Sequence, residues 1–195
     1  MKKKSPSPKP RTRAKREASP LGKLKGLALG DQDCLELPDD SQWTRLERML
    51  HQRLPKDLKQ LVSVFGTGVF GGRILLLNPA AEQDWRSEFS ARWAHGIVSM
   101  LSGAFPNLTF FPACDGLLPI GMTAESDYLC LHLNDGTITV CSLHQRKATK
   151  TRFRLAEFLH RLLGDDMPRN HVTKTLQRQW CDPEAPAFEP KPYLR

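Results

Sequence analysis

The sequence predicts an α+β fold: a single domain whose mainly antiparallel sheet is flanked by helices on one side, preceded by a disordered basic N-terminal arm. A β-hairpin is the first observation, because residues 128–133 and 137–143 both alternate in polarity and are separated by Asn134, Asp135 and Gly136. Apolar stripes at helical spacing on both sides of this hairpin are the second. The 195 residues suffice for one domain of ordinary size with tails.

Positive charge is concentrated in the first 27 residues. They hold ten Lys and Arg against one Glu, a balance of +9, whereas the remaining residues hold 19 basic and 20 acidic side chains, a balance of −1. Residues 1–30 contain almost no large apolar side chains before Leu21, so we expect them to form a disordered basic arm. Residues 2–25 could bind nucleic acid nonspecifically, or an anionic membrane or acidic partner, or remain a solvated tail.

Two helices are predicted after the arm. Asp40 or Ser41 can cap the first, and Pro55 suits the first position of the second, where its missing N–H is not needed. The apolar stripes that define them contain Trp43, Leu46, Leu50 and Leu54, then Leu58, Leu61, Val62 and Phe65.

A glycine-rich segment, residues 66–72, ends the second helix. It fits the dinucleotide-binding pattern G-x-G-x-x-G, but that fingerprint requires a strand before it and a helix after it. Here the order is reversed, since a helix precedes the glycines and a short buried strand, residues 74–77, follows them. We therefore predict a tight structural turn and no cofactor.

The rest of the chain alternates between the two types of element. We expect a long helix at 82–103 with aromatic residues on one face, strands at 108–111 and 149–153, and a helix at 155–163 ended by Gly164. The Pro-rich tail, residues 165–195, is expected to be irregular. Trp180 and Phe188 could pin it to the domain or face a partner, and we favour pinning.

The sequence contains no motif for catalysis, a cofactor or a metal. It lacks G-x-S-x-G, H-E-x-x-H, a G-K-[ST] phosphate loop and any C-x-x-C pair. Cys130 and Cys141 are expected to be buried small apolar residues on strands. Cys114 could be a reactive thiol, but the adjacent Asp115 would raise its pKa and so disfavours the thiolate. No apolar run is long enough for a membrane span or signal peptide, so we expect a cytoplasmic protein, or a nuclear one where the cell has a nucleus.

Acidic residues cluster in sequence around a second glycine-containing segment. Asp115, Glu125 and Asp127, together with Asp135 in the hairpin, predict an acidic edge that could contact a partner. The alternative is that they are ordinary turn residues, because Asp favours turns by hydrogen-bonding its own backbone.

Several short motifs follow one another at defined spacings, and their residues are Pro55, Gly66, Gly68, Asn78, Pro79, Gly116, Leu118, Pro119, Gly121 and Asp127. In their order and spacing these motifs resemble the SUKH superfamily, the Smi/Knr-type domain of bacterial immunity proteins and fungal cell-wall regulators. The resemblance covers residues 41–164, with Ile120 where many members carry an aromatic residue. It implies an α+β domain in which the motif residues form structural turns and Asp127 fixes its loop.

The resemblance also implies a function. It points to a non-catalytic domain that binds a protein, first of all an immunity protein that neutralises a cognate toxin, often a nuclease, by stoichiometric binding. Asp115, Glu125 and Asp127 could then face a basic nuclease cleft. The alternatives are a regulatory adaptor of the Smi/Knr type and a nucleic-acid-binding protein that acts through the arm. The sequence leaves the oligomeric state open.

Overall fold

The computed structural model describes residues 18–80, 96–113, 115–123, 125–164, 167 and 181–191. Within these residues five α-helices surround a seven-stranded sheet in the order β6-β5-β4-β3-β2-β1-β7. Every neighbouring pair of strands is antiparallel. The predicted α+β class and antiparallel sheet are therefore confirmed.

The elements have the following bounds. The helices are α1 (Pro20–Ala28), α2 (Asp40–Leu50), α3 (Lys56–Phe65), α4 (Val98–Ala104) and α5 (Leu155–Leu163). The strands are β1 (Gly68–Phe70), β2 (Ile74–Leu76), β3 (Leu117–Met122), β4 (Asp127–His132), β5 (Thr137–Ser142), β6 (Lys147–Arg154) and β7 (Phe188–Pro190).

Both faces of the sheet are covered, which corrects the expectation of helices on one side. Successive side chains of a strand point to opposite faces, so Leu129 packs in the main core with α1, α3 and α5, whereas Cys130 packs in a second cluster with α4. Because β4 is apolar on both faces, each face needs a covering layer. The apolar stripe of α4 predicts that this helix is buried, but it does not predict which face of the sheet the helix covers.

The last part of the predicted N-terminal arm forms a helix. Residues 20–28 lie inside the expected disordered range, but they form α1, which packs against α5 with Leu24 fully buried. The Ser19 side chain caps this helix by accepting a hydrogen bond of 3.2 Å from the backbone nitrogen of Gly22. The low apolar content of residues 1–30 concealed this short amphipathic stripe, and residues 1–17 lie outside the described part of the chain.

The glycine segment contains a strand that the sequence did not reveal. Helix α3 ends at Phe65, as predicted, and Gly66 follows with φ of 65°. A β-carbon at Gly66 would lie 1.8 Å from the carbonyl oxygen of Leu35, so this corner accepts only glycine. The three residues of β1 come next, and Gly71 and Gly72, both with positive φ, turn the chain into β2.

Other predictions about single elements need adjustment. Asp39, and not Asp40 or Ser41, caps α2, because its carboxylate and the Gln42 side chain form a reciprocal capping box. Pro55 precedes α3 as its N-cap. The expected strand at 108–111 is reduced to one isolated bridge between Phe110 and Leu117. The first part of the expected 82–103 helix lies outside the described residues.

The C-terminal tail is partly ordered as a strand. Residues 188–190 form β7, which pairs with β1 at one edge of the sheet. Phe188 is fully buried and its ring lies 5.0 Å from that of Phe65 and 4.7 Å from that of Phe70. The prediction that Phe188 pins the tail is confirmed, while Trp180 lies outside the described residues.

Candidate binding surface

One end of the sheet carries three hairpin turns, and we call it the turn end. The turns join β1 to β2, β3 to β4 and β5 to β6, and antiparallel pairing brings them side by side. An open depression of about 600 Å³ lies between the β3–β4 and β5–β6 turns. Its lining residues are Glu125, Ser126, Asp127, Ser142, Leu143, His144 and Gln145.

Asp127 forms the inner wall of this depression. It is 4% exposed, and its backbone is held in both directions by Thr123. The Asp127 nitrogen donates to the Thr123 hydroxyl over 3.3 Å, and the Thr123 nitrogen donates to the Asp127 carbonyl over 2.9 Å. Ser126, between them, has φ of 61°. These bonds are made by the backbone of Asp127 and fix the turn at the start of β4. We propose that Asp127 has a structural role in this turn.

Glu125 forms the rim of the depression. Its side chain is 47% exposed, and its Oε1 lies 3.7 Å from Nη1 of Arg73 in the β1–β2 turn. Exposed ion pairs of this kind contribute roughly 0–1 kcal/mol because water screens them. A partner can therefore replace this contact at little cost.

The β5–β6 turn forms the opposite wall. The Ser142 hydroxyl accepts a 3.4 Å hydrogen bond from the backbone nitrogen of Gln145, and the Leu143 carbonyl accepts one of 3.2 Å from Arg146. The Leu143 nitrogen also donates to the Ser126 carbonyl over 3.5 Å, which ties the two walls together. Sequence reasoning predicted the strands beside this turn but missed His144 and Gln145 as surface residues, because nothing local marks a binding turn.

Asp115 and Asp135 lie at the opposite end of the sheet. Asp115 precedes β3 whereas Glu125 follows it, and the six residues of this strand span about 20 Å. The backbone nitrogen of Leu133, beside the hairpin of Asp135, is 3.4 Å from the Gly116 carbonyl oxygen. The structure thus divides the single acidic edge expected from the sequence into two separate places.

Asp135 organises its own hairpin. Its carboxylate accepts hydrogen bonds of 2.8 Å and 2.6 Å from the backbone nitrogen and hydroxyl of Thr137, and Lys150 Nζ lies 3.4 Å away. Partial burial alone would raise the pKa of Asp135, but the hydrogen bonds from Thr137 and the charge of Lys150 lower it to about 2. Asp135 therefore stabilises the hairpin as a carboxylate.

The polar motif residue Asn78 bridges two segments of backbone. It is fully buried, its Nδ2 donates to the Glu36 carbonyl over 2.8 Å, and its Oδ1 accepts from the Ala80 nitrogen over 3.1 Å. Both halves of the amide are thereby satisfied inside the core. Pro79 is buried beside it.

The motif glycines allow close backbone contacts. A β-carbon at Gly68 would lie 2.3 Å from the Phe188 ring, and one at Gly116 would lie 2.6 Å from the carbonyl carbon of Phe110. Gly121 lies at the irregularity in β3 that follows Pro119, close to β2. Leu118 is fully buried. This geometry supports the proposal that the motif residues build the scaffold, while the partner contacts other residues.

Side chains that could bind a metal or act as nucleophiles do not form a cluster in the described part of the chain. No three His, Cys, Asp or Glu side chains among these residues come together as metal ligands would. Cys130 and Cys141 are fully buried on neighbouring strands, as predicted, and burial raises the pKa of Cys130 well above its usual range. No helix within the described residues is both long and apolar enough to cross a membrane.

Comparison with known proteins assigns this architecture to a family. A family model described as SMI1-KNR4 cell-wall, of the SUKH type, matches residues 40–159, which is more than half of the chain. No curated protein matches the chain. The matched region runs from the start of α2 into α5, and leaves α1 and β7 outside it. The chain therefore belongs to the SMI1-KNR4 family of the SUKH superfamily.

Proposed function

We propose that this chain is an immunity protein that binds a cognate toxin one-to-one and inhibits it by covering its active surface. The SUKH family supplies the general class, because its members are immunity and regulatory domains that bind proteins and are generally non-catalytic. The observation that carries the proposal here is the open depression at the turn end, whose two walls are tied together by the backbone hydrogen bond from Leu143 to Ser126.

The construction of this depression favours binding to a macromolecule. Its walls are hairpin turns whose backbone groups are already bonded, so little conformational entropy is lost when a partner docks. A stable protein interface buries about 800 Å² on each partner, more than such a depression offers. The partner would therefore extend over the neighbouring β1–β2 turn as well.

The charges at the rim indicate the character of the partner. Glu125 is exposed and its ion pair with Arg73 is weak, so its carboxylate is available to a cationic group. A nuclease toxin needs basic residues to hold its nucleic-acid substrate. A basic residue of such a toxin would then replace Arg73 as the partner of Glu125.

A titration of the purified chain with the toxin encoded beside its gene tests this proposal. We expect a one-to-one complex in isothermal titration calorimetry and loss of toxin activity at equimolar ratio. Glu125→Gln should weaken binding by about tenfold, as expected for a contact worth more than 1 kcal/mol. Asp115→Asn is the matched control, because it removes the same charge at the opposite end of the sheet and should leave the affinity unchanged.

The same experiment separates the alternatives. Catalytic consumption of the toxin by substoichiometric chain would contradict inhibition by occlusion. If the toxin is not bound at all, the regulatory adaptor becomes the better account. The nucleic-acid alternative is tested with an arm-neutral variant, a full-length chain in which the Lys and Arg residues between positions 2 and 16 are replaced by Gln. That variant should lose salt-sensitive nucleic-acid binding but retain toxin inhibition.

The arm is best tested by neutralisation because of α1. A deletion of residues 1–27 would remove Pro20–Leu27 and with them Leu24, which is fully buried against the core. Such a deletion would disturb the fold as well as the charge. The arm-neutral variant changes only residues that precede the helix.

A further inference from the structure

The outer strand β6 has an unusual concentration of positive charge. Five cations occur in the nine residues from 146 to 154, with no acidic residue among them. All five residues are exposed. The near-neutral charge balance of residues 28–195 conceals this strip. The cations are Arg146, Lys147, Lys150, Arg152 and Arg154.

Strand β6 also lies at an edge of the sheet. It pairs with β5 on one side, and no other strand among the described residues pairs with its outer side. An edge of this kind presents backbone N–H and C=O groups that can pair with another extended chain. At eight residues it is the longest strand described, whereas the opposite edge strand, β7, has three.

The ion pairs of the strip are weak. Lys150 Nζ lies 3.4 Å from Asp135, and Arg154 Nη1 lies 3.3 Å from Asp57. The cationic side chains of these pairs are 57% and 66% exposed. Water screens such pairs, so an incoming carboxylate can compete for both cations.

From these features we propose that β6 is a second docking surface, which takes an extended acidic peptide segment of a partner protein as an additional antiparallel or parallel strand. Backbone pairing with the edge would supply affinity, and carboxylates on alternate residues would meet Lys150, Arg152 and Arg154, which alternate along one face of β6. This surface lies on different residues from the turn-end depression, so the inference does not rest on the proposed toxin complex.

Charge argues against other occupants of this edge. Two copies of residues 146–154 would bring ten cations together, which opposes pairing between two copies of the chain. The basic arm, with its balance of +9 over residues 1–27, is repelled for the same reason. Single-stranded nucleic acid would match the charge, but its bases favour aromatic stacking surfaces, and the only aromatic residue of β6, Phe153, is buried.

The test uses a fluorescent eight-residue peptide of alternating Glu and Thr, with both ends blocked. All measurements are made in the arm-neutral background at 0.15 M salt, a value on the order of physiological ionic strength, so that residues 2–16 do not bind the probe. We expect saturable one-to-one binding and protection of β6 amides from hydrogen exchange. The substitutions Lys150→Glu and Arg152→Glu, at alternate positions on one face of β6, should together weaken binding at least about tenfold, or about 1.4 kcal/mol.

Two matched controls make the result specific. Arg45→Glu with Arg48→Glu changes the net charge equally on exposed positions of α2 and should leave the affinity unchanged. A copy of the peptide N-methylated at alternate residues keeps its charge but cannot form the backbone ladder, and it should not bind. A control peptide of alternating Lys and Thr should not bind either.

Several outcomes would overturn the inference. Equal binding of the N-methylated peptide would show attraction by charge alone. Tighter binding of an oligothymidine that is lost in the β6 variant would show a nucleic-acid surface. The peptide could also fail to bind saturably, while a chain with the β6 cations replaced by Ser forms dimers. That result would show that the cations serve only to prevent edge pairing between copies of the chain.

Discussion

Replacing Phe188 by Ala should destabilise the whole domain, although this residue lies outside the region that the family model matches. Its side chain is fully buried, and its ring lies 5.0 Å from that of Phe65 and 4.7 Å from that of Phe70. Removal of a buried Phe side chain costs about 3–5 kcal/mol, since the lost transfer free energy and the cavity add. That is a large share of a total stability of about 5–15 kcal/mol.

Urea denaturation followed by tryptophan fluorescence and circular dichroism measures this cost. We expect the free energy of unfolding of Phe188→Ala to fall by about 4 kcal/mol, and the melting temperature to fall by roughly 8–16 °C for a chain of this size. Glu189→Ala is the control, because Glu189 lies on the same short strand, its side chain is 45% exposed, and its ion pair with Lys191 is a surface contact. It should change stability by less than about 0.5 kcal/mol.

A loss below about 1 kcal/mol for Phe188→Ala would refute the reasoning, because it would mean that β7 is not anchored to the core in solution. Equal losses in the two variants would also contradict it, since the strand and not the ring would then be responsible.

Three further perturbations follow from the structure. Gly66→Ala should cost more than about 2 kcal/mol because of the 1.8 Å approach to the Leu35 carbonyl oxygen, whereas Gly26→Ala, with open space and a helical position, should stabilise by about 0.5–1 kcal/mol. Leu24→Ala should cost about 2–5 kcal/mol if α1 belongs to the core. Asp135→Asn should remove a pH-dependent contribution to stability of about 1 kcal/mol or less, since its side chain is 44% exposed.

The sign of the Asp135 effect follows from its pKa, which is about 2 in the folded chain and below the ordinary value of 3.8. Ionised Asp135 therefore stabilises the fold above about pH 4, and this contribution is lost as the pH falls toward about 2. When the free energy of unfolding is measured between about pH 2 and pH 4, it should depend less steeply on pH in Asp135→Asn than in the unsubstituted chain. An unchanged slope would contradict the role of Asp135. A free energy of unfolding that is unchanged in Leu24→Ala, or raised in Gly66→Ala, would contradict the packing described for those two residues.

Local patterns predicted those elements whose cause is local. Asn134, Asp135 and Gly136 specify the β4–β5 hairpin because turn geometry and strand alternation lie in adjacent residues. Helices α3 and α5 were recognised for the same reason, since their apolar stripes are complete within one element. By contrast, β1 and β7 have three residues each, one strand with a glycine and the other with a proline. Strand β1 is defined by its pairing with β2 and β7, and β7 by its pairing with β1, so neither shows a local signal in the sequence.

Which residues lie together at the turn end depends on contacts between elements that are distant in the sequence. Asp115 and Glu125 are ten residues apart, but the extended conformation of β3 places them at opposite ends of the sheet. His144 and Gln145 become part of the depression only because the β5–β6 turn lies beside the β3–β4 turn. The cations of β6 form a local excess of positive charge in the sequence, which the near-neutral total over residues 28–195 hides.

The central claim is that this domain binds a protein at the turn end. Calorimetric titration of the full chain with the toxin encoded beside its gene tests this claim directly. The account predicts a one-to-one complex that blocks the toxin, weakened about tenfold by Glu125→Gln and unaffected by Asp115→Asn. A complex equally sensitive to both substitutions, or insensitive to Glu125→Gln while still one-to-one, would place the interface elsewhere and contradict it.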